Sequence, residues 1–415
     1  MDGRAQAQGH GEPVSVSLRL IREARSSFAH QPLVKMNHRS RFRAPRTALC
    51  LTVLALAACG GEPRRADGAR ADTLSLAERR QIPGTIAYVA ERDGNKEVYV
   101  ARPSGEGERR LTRTLLDSYI TTIAPDGSGV LGIEVEEAGG NRFEQLVFHP
   151  VPRGTARPVG GRHPYSRSAA WSADGEWIVF ESAQASFRDL YRIRLDGTGE
   201  QRLTDNREGN FEPVISPDGA WVAFGSSRDQ NAEIYRMRLD GSEETRLTTV
   251  PRHDDFFPQW SPDGTHLAFA STRDGDERIF VMRADGGGQR RLTRPDTISD
   301  IAEQQPAWSP DGRRIAYIVR QRGRGSRVRI TEVASGATRE VGGGSQGGES
   351  EPQWSADGRY LAFASSRDGD HEIYLARADG SRATRLTRAP ADDWHPRWIP
   401  ARRAGAADST RMSAQ

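Results

Sequence analysis

A tetrapeptide, Ser-Pro-Asp-Gly or a close variant, returns six times along the chain, with its aspartate at Asp126, Asp174, Asp218, Asp263, Asp311 and Asp357. The spacings of 48, 44, 45, 48 and 46 residues suit one four-stranded propeller blade and exceed a leucine-rich or ankyrin unit. Helical repeats of similar length are excluded by what lies between the tetrapeptides. The fullest units read Pro-x-Trp-Ser-Pro-Asp-Gly, a Leu/Ile-Ala-Phe run, a Ser-x-Arg-Asp-Gly turn, a Glu-Ile-Tyr run, an Asp-Gly turn and Arg-Leu-Thr. Short β-branched and aromatic runs bounded by Asp-Gly are strands joined by tight hairpins, because glycine supplies the positive φ that primed turns need. No long stretch of 3.6-residue periodicity free of such breakers appears after residue 84.

The strands of a unit fall in order. Strand A carries Trp171, Trp260, Trp308 and Trp354; strand B carries runs such as Val222-Ala223-Phe224; strand C holds Ile234-Tyr235 and its equivalents; strand D ends in Leu-Thr pairs such as Leu247-Thr248. Residues 85–112 supply strands B, C and D with no strand A before them, while 395–400 supply a strand A with nothing after it. Joining the two abolishes the exposed edges of an open array. The expected fold is therefore all-β, a seven-bladed β-propeller of four-stranded antiparallel blades, its ring closed by the C-terminal strand entering the first blade. The second unit, 119–158, is the poorest match, lacking the Arg-Asp-Gly turn and the Leu-Thr end.

These motifs resemble the TolB-like β-propeller repeat, over roughly residues 85–400. The resemblance implies kinship with periplasmic TolB and with the propeller domains of prolyl-oligopeptidase relatives. The separate α/β domain that each of those would call for has no counterpart in the remaining sequence, so the expectation is a bare propeller.

Both cysteines, Cys50 and Cys59, fall in one segment near the N-terminus, which excludes a disulfide framework or a cysteine-ligated zinc site in the rest of the chain. A basic stretch with Arg39, Arg41, Arg43 and Arg46, an apolar run over 47–58, and Leu56-Ala57-Ala58-Cys59 resemble the export signal and lipobox of bacterial lipoproteins, in which the cysteine is acylated. The expected organisation is a mis-annotated or disordered extension over 1–35, a signal peptide over 36–58, a lipidated Cys59 with a flexible tether to 84, the propeller over 85–400 and a disordered tail over 401–415. The protein should be a monomer, lipid-anchored on the periplasmic side of a bacterial membrane, the outer more than the inner. A pI near 9.0 suggests nucleic acid, but residues 1–58 carry nine basic and three acidic side chains, and the rest is slightly acidic. No basic patch remains and no nucleic-acid partner is expected.

Candidate chemistry is sparse. Gly343-Gly344-Ser345-Gln346-Gly347 matches a nucleophile elbow in letters but lies in a glycine-rich link without the strand-to-helix context. Turns at Asp93, Asp274 and Asp368 lack the ligand spacing of a calcium loop. His163, His253 and His395 each precede a strand A, and some propeller lyases hold a metal near the channel mouth; assigned to blades 3, 5 and 1, they should not converge. No catalytic residue, metal or cofactor is expected. The connections from strand D to strand A do interleave aromatics and acids: Tyr119, Tyr165, Phe211, Glu212, Asp254, Asp255, Phe256, Phe257, Glu303, Gln305, Glu349, Glu351, Asp392, Asp393 and Trp394. They are expected to bind an envelope protein or peptide, the acids favouring a basic partner or a cation, with the B–C hairpins at Asp274 and Asp368 on the opposite edge. The alternative from another class is a propeller hydrolase or metal-dependent polysaccharide lyase with its site at the channel mouth.

Overall fold

The computed structural model describes residues 73–401, apart from 93, 164, 184–186, 294–299 and 343–346. The expected signal, Cys59 and most of the tether, the Ser345 motif and the tail beyond 401 thus lie outside the described residues. Seven four-stranded antiparallel blades follow in chain order, the fifth and sixth joined by a single parallel bridge between Glu277 and Ala302. Blade 1 contains β1 (Thr85–Glu91), β2 (Lys96–Ala101) and β3 (Arg109–Arg110); blade 2, β4 (Asp117–Ile123), β5 (Gly129–Ala138), β6 (Asn141–Pro150) and β7 (Arg157–His163). Blade 3 contains β8 (Ser166–Trp171), β9 (Trp177–Ser182), β10 (Asp189–Arg194) and β11 (Gln201–Arg202); blade 4, β12 (Asn210–Ile215), β13 (Trp221–Ser226), β14 (Glu233–Arg238) and β15 (Thr245–Arg246). Blade 5 contains β16 (Asp255–Trp260), β17 (His266–Asp274), β18 (Asp276–Arg283) and β19 (Arg290–Arg291); blade 6, β20 (Ile301–Trp308), β21 (Arg314–Gln321), β22 (Gly325–Glu332) and β23 (Thr338–Glu340). Blade 7 contains β24 (Glu349–Trp354), β25 (Tyr360–Ser365), β26 (Glu372–Arg377) and β27 (Thr384–Arg385), after which β28 (Asp393–Ile399) returns to the start.

The closure expected from the sequence is present: β28 pairs antiparallel with β1, setting Thr85 opposite Ile399, Ile86 opposite Trp398 and Val89 opposite Trp394. Blade 2 is complete despite its weak motifs. Its β5–β6 hairpin is turned by Gly139 and Gly140, both at positive φ, in place of the Arg-Asp-Gly turn.

The repeated letters are explained by contacts. In the tetrapeptide at Asp263, the Ser261 hydroxyl donates to the carboxylate (2.6 Å), which also accepts from the Thr265 N–H (3.0 Å), while Gly264 takes φ 70° to reverse the chain. In Glu-Ile-Tyr and Arg-Leu-Thr, the buried Glu233 accepts from Arg246 (2.6 Å) and from the Thr248 hydroxyl (2.5 Å), and that hydroxyl accepts from the Ile234 N–H (2.9 Å). Glu97, Asp189 and Glu372 repeat the arrangement in blades 1, 3 and 7. The strand A tryptophans latch neighbouring blades: the indole N–H of Trp260, Trp308, Trp354 and Trp398 donates to the backbone oxygen of Val214, Gln259, Ala307 and Gln353 in the blade before, at 3.0–3.2 Å.

One expectation needs correction. The tether was expected to be flexible up to residue 84, yet α1 (Leu76–Gln81) is a helix capped by Ser75, whose hydroxyl accepts from the Glu78 N–H. Leu74 and Ile82, flanking it, are buried in a cluster containing Ile86 and Ala101 of blade 1 and Leu375 and Leu386 beside blade 7. Glu78 pairs with Arg377 at 2.9 Å. Two apolar side chains on either side of a short polar helix were enough to dock it across the closing seam.

Candidate binding face

Four antiparallel strands reverse direction three times, so the B–C and D–A connections emerge at one face of the ring and the A–B and C–D connections at the other. Hydrogen bonds bear this out: the carboxylates of Asp117, Asp254 and Asp392, on D–A connections, accept from the N–H of Lys96, Ala232 and His371, on the B–C connections of the preceding blades, at 2.7–3.0 Å. The placing of Asp274 and Asp368 on the opposite edge is therefore corrected; they share the face of the candidate residues. The opposite face carries the Asp218 and Asp263 turns.

Much of the expected acidic rim is structural. Asp255, Glu303, Glu349 and Asp393 are buried at the start of each inner strand. Asp255 and Asp393 hold the arginines of the Arg-Asp-Gly turns, Arg273 (2.8 Å) and Arg92 (3.2 Å), whose guanidiniums lie 4.7 Å from the ring centre of Phe280 and 4.3 Å from that of Tyr99. Burial pushes the Asp393 carboxyl up to about 7, against the pull of Arg92. Glu303 and Glu349 replace a missing partner: strand C of blades 5 and 6 has Arg278-Ile279 and Arg327-Val328 where blades 1, 3, 4 and 7 have the acids Glu97, Asp189, Glu233 and Glu372, and the carboxylates reach in from the next blade to accept from the N–H of Ile279 (3.0 Å) and Val328 (2.8 Å). Phe211 is buried as well, leaving no aromatic anchor there. With its acids so engaged, the face no longer points to a basic partner.

A bulge recurs within the inner strands, and at it Ser168, Glu212, Phe257, Gln305, Glu351 and His395 adopt positive φ between 47° and 58°. This strained conformation turns backbone N–H groups toward the preceding blade. Glu181 accepts from the Glu212 N–H (2.6 Å), Glu212 from the Phe257 N–H (2.8 Å), and Glu351 pairs with the His395 imidazole (2.8 Å). Glu277 accepts from the Gln304 amide at 2.9 Å. Burial, reinforced by Glu181 and Glu277, pushes Glu212 up to about 8; burial, reinforced by Asp254 and Glu303, pushes Glu277 up to about 8. Burial opposes the charge of Glu351, but His395 and Arg397 hold it below the ordinary glutamate range.

A pH dependence follows. Because the folded state keeps the Glu212 and Glu277 protons longer than the unfolded chain does, these groups cost nothing at low pH and subtract stability as pH climbs from the ordinary glutamate range toward about 8. Each unit of displacement corresponds to about 1.4 kcal/mol at most. Denaturant midpoints measured from acid to pH 9 should fall less steeply for Glu212→Gln/Glu277→Gln than for the wild type; parallel curves would contradict it.

The histidines do not converge. His163 precedes strand A of blade 3 as expected but belongs to blade 2, as the last residue of β7, its ring tilted against that of Phe180; His253 lies against the Thr272 oxygen; His395, expected ahead of strand A, lies within β28, on Glu351. Among the described residues no group of three His, Cys, Asp or Glu is arranged to hold a metal.

What the face offers is apolar and aromatic. Tyr119 is half-buried with the Lys96 ammonium 5.4 Å from its ring centre, and Tyr165 lies between Arg167 (4.9 Å) and Arg188 (6.0 Å). Phe256 and Phe257 meet edge to face at 5.4 Å, and Trp394 is half-buried against the cores of blades 7 and 1. Sequence reasoning missed two residues: Leu115, fully exposed on the connection leading to Tyr119, and Phe187, 42% exposed on the B–C connection leading to Arg188. Neither lies in a repeated motif, which is itself the signal that could have found them.

Fold and face together define a closed propeller of the TolB type, its inner rim stitched by carboxylates. The family model described as TolB beta propeller domain matches residues 140–255 and 299–413, over half of the chain, and the chain belongs to that family. A TolB homolog of Chlorobaculum tepidum is 32% identical over 130 residues, 31% of this chain and 29% of that protein. The matched stretches span 29% to 41% of the length of the curated relatives. Among solved structures, an oligogalacturonate lyase from Vibrio parahaemolyticus superposes with a TM-score of 0.55 at 12% identity, over 73% of this chain and 88% of that one. A Mycobacterium tuberculosis puromycin-hydrolyzing peptidase superposes with 0.54 at 16% identity, over 76% and 55%. These two likenesses are of fold alone.

Proposed function

We propose that this chain is a non-catalytic lipoprotein of the bacterial cell envelope, held through Cys59 on the periplasmic side of a membrane, the outer by preference, whose propeller binds a protein or peptide on the D–A and B–C face. The observation that carries the reading is exposure: of the three large apolar side chains exposed among the described residues, Leu115 and Phe187 both stand on this face, on the connections that lead to Tyr119 and Arg188. Exposed apolar groups beside half-buried aromatics and a polar rim are what recognition surfaces use. The lipobox supports the anchor, since diacylglycerol and an N-acyl chain together hold a protein that one chain would not.

One experiment tests both parts. Full-length protein should stay with carbonate-washed membranes, and Cys59→Ser should not. From detergent extracts, wild type should capture a specific partner that Leu115→Ser/Phe187→Ser loses by about thirtyfold in affinity, the cost of removing an apolar anchor of ~2 kcal/mol. Asp218→Asn/Asp263→Asn, on the opposite face, should capture it normally. Capture unaffected by the first pair and abolished by the second would reverse the assignment of the face.

A further inference from the structure

Just past the bulges, one residue of each inner strand sits at an equivalent register: Thr122, Ala170, Val214, Gln259, Ala307, Gln353 and Arg397, opposite Leu131, Val179, Ala223, Ala268, Ala316, Ala362 and Ala87. Six are uncharged, so Arg397 alone brings charge to this layer of the ring. Its Nη1 donates to the neighbouring Pro396 oxygen at 2.9 Å, and among the described residues no carboxylate lies within the 4.0 Å of an ion pair with it. Glu351 is the acid whose field it feels, but that carboxylate is engaged by His395 through Oε1 at 2.8 Å. The second oxygen of Glu351, Oε2, is buried without a hydrogen-bond partner among the described residues. Burial, only partly offset by Glu351, holds the Arg397 guanidinium below its ordinary value.

A half-buried guanidinium without a counter-ion within reach is costly, and so is an unsatisfied carboxylate oxygen. The arrangement on blades 7 and 1 is thus half of a recognition site, a planar donor fork next to an acceptor. We propose that Arg397, with Glu351 beside it, forms a binding subsite for a carboxylate that carries an adjacent N–H or O–H donor, the carboxylate lying on the Arg397 fork and the donor turned toward the partly exposed Glu351 carboxylate. Arginine suits this role because its fork matches both carboxylate oxygens at once, which a lysine ammonium does not. The group could come from a free hydroxy acid or from the C-terminus of a peptide, whose last amide N–H adjoins its carboxylate. The subsite is independent of the apolar face, since Leu115 and Phe187 play no part in it.

The test follows the Arg397 Nε–Hε resonance of the full chain, assigned by its loss in Arg397→Gln. The probes are glycolate, triglycine, triglycine amide and sodium chloride, at constant ionic strength. Glycolate, triglycine or both should shift the resonance saturably in the millimolar range, whereas the amide and chloride should not. A response to glycolate alone assigns a free acid, and to triglycine alone a peptide terminus. By calorimetry, Arg397→Gln should bind the responding probe at least about tenfold more weakly with an unchanged melting temperature, and Arg397→Lys should recover only part of the loss. Glu351→Gln should weaken glycolate more than acetate, because only glycolate brings the donor. Equal shifts from chloride, no shift from either carboxylate, or undiminished binding by Arg397→Gln would overturn the proposal.

Discussion

Removal of residues 392–415 should leave a protein that melts at least about 10 °C lower or fails to fold, while removal of 401–415 should change the melting temperature by no more than a few degrees. The first truncation strips β28 from β1, exposing that strand's hydrogen-bonding edge. It also takes away the buried Ile399, the packed faces of Trp394 and Trp398, and the Asp393 partner of Arg92. Apolar side chains of this size contribute about 1.5–3 kcal/mol each when buried, and a folded domain holds only about 5–15 kcal/mol in reserve. Differential scanning calorimetry on both truncations checks the result. Equal melting temperatures would contradict the shared first blade. The helix α1 lies across the same seam, so part of the closure is borne by Leu74, Ile82 and the Glu78–Arg377 pair.

Glu233→Ala should cost about 1.5–3 kcal/mol, the usual loss when hydrogen bonds to a buried charged group are removed. The substitution leaves Arg246 without its buried carboxylate and the Thr248 hydroxyl without an acceptor. Urea midpoints should show the loss, with Glu233→Gln less damaging because its amide oxygen still accepts. An exposed carboxylate such as Glu208, removed as Glu208→Ala, should cost about 0.5 kcal/mol or less by comparison. If Glu233→Ala matched that small effect, the Glu-Ile-Tyr and Arg-Leu-Thr letters would not be the blade fastener described above.

The architecture was legible because the repeat writes its own contacts: Ser-Pro-Asp-Gly is a closed hydrogen-bonded turn, the tryptophan of strand A reaches the blade before it, and the unmatched ends at 85 and 395–400 are halves of one blade. The candidate site was much less legible. Asp255, Glu303 and Asp393 read as an acidic rim because sequence shows their place on a connection but not the arginine, threonine or backbone N–H that consumes them. The substitution of Arg278 for the strand C glutamate held the clue to Glu303, since a missing carboxylate in a repeated network has to be supplied from elsewhere. Leu115 and Phe187 lie outside the repeated motifs, so no repetition marks their exposure. Docking of α1 was hidden by its brevity, since a helix of one and a half turns takes its stability from packing.

The most direct measurement of the central claim is site-specific photo-crosslinking in intact cells, with the photoreactive residue at Leu115 or Phe187 on one face and at Asp240 or Asp263 on the other. The account predicts one discrete adduct from the first two positions, lost when Tyr165 and Phe257 are replaced by alanine, and none from the second two. Adducts confined to Asp240 and Asp263, or spread evenly over all four positions, would contradict a binding face at the D–A and B–C connections.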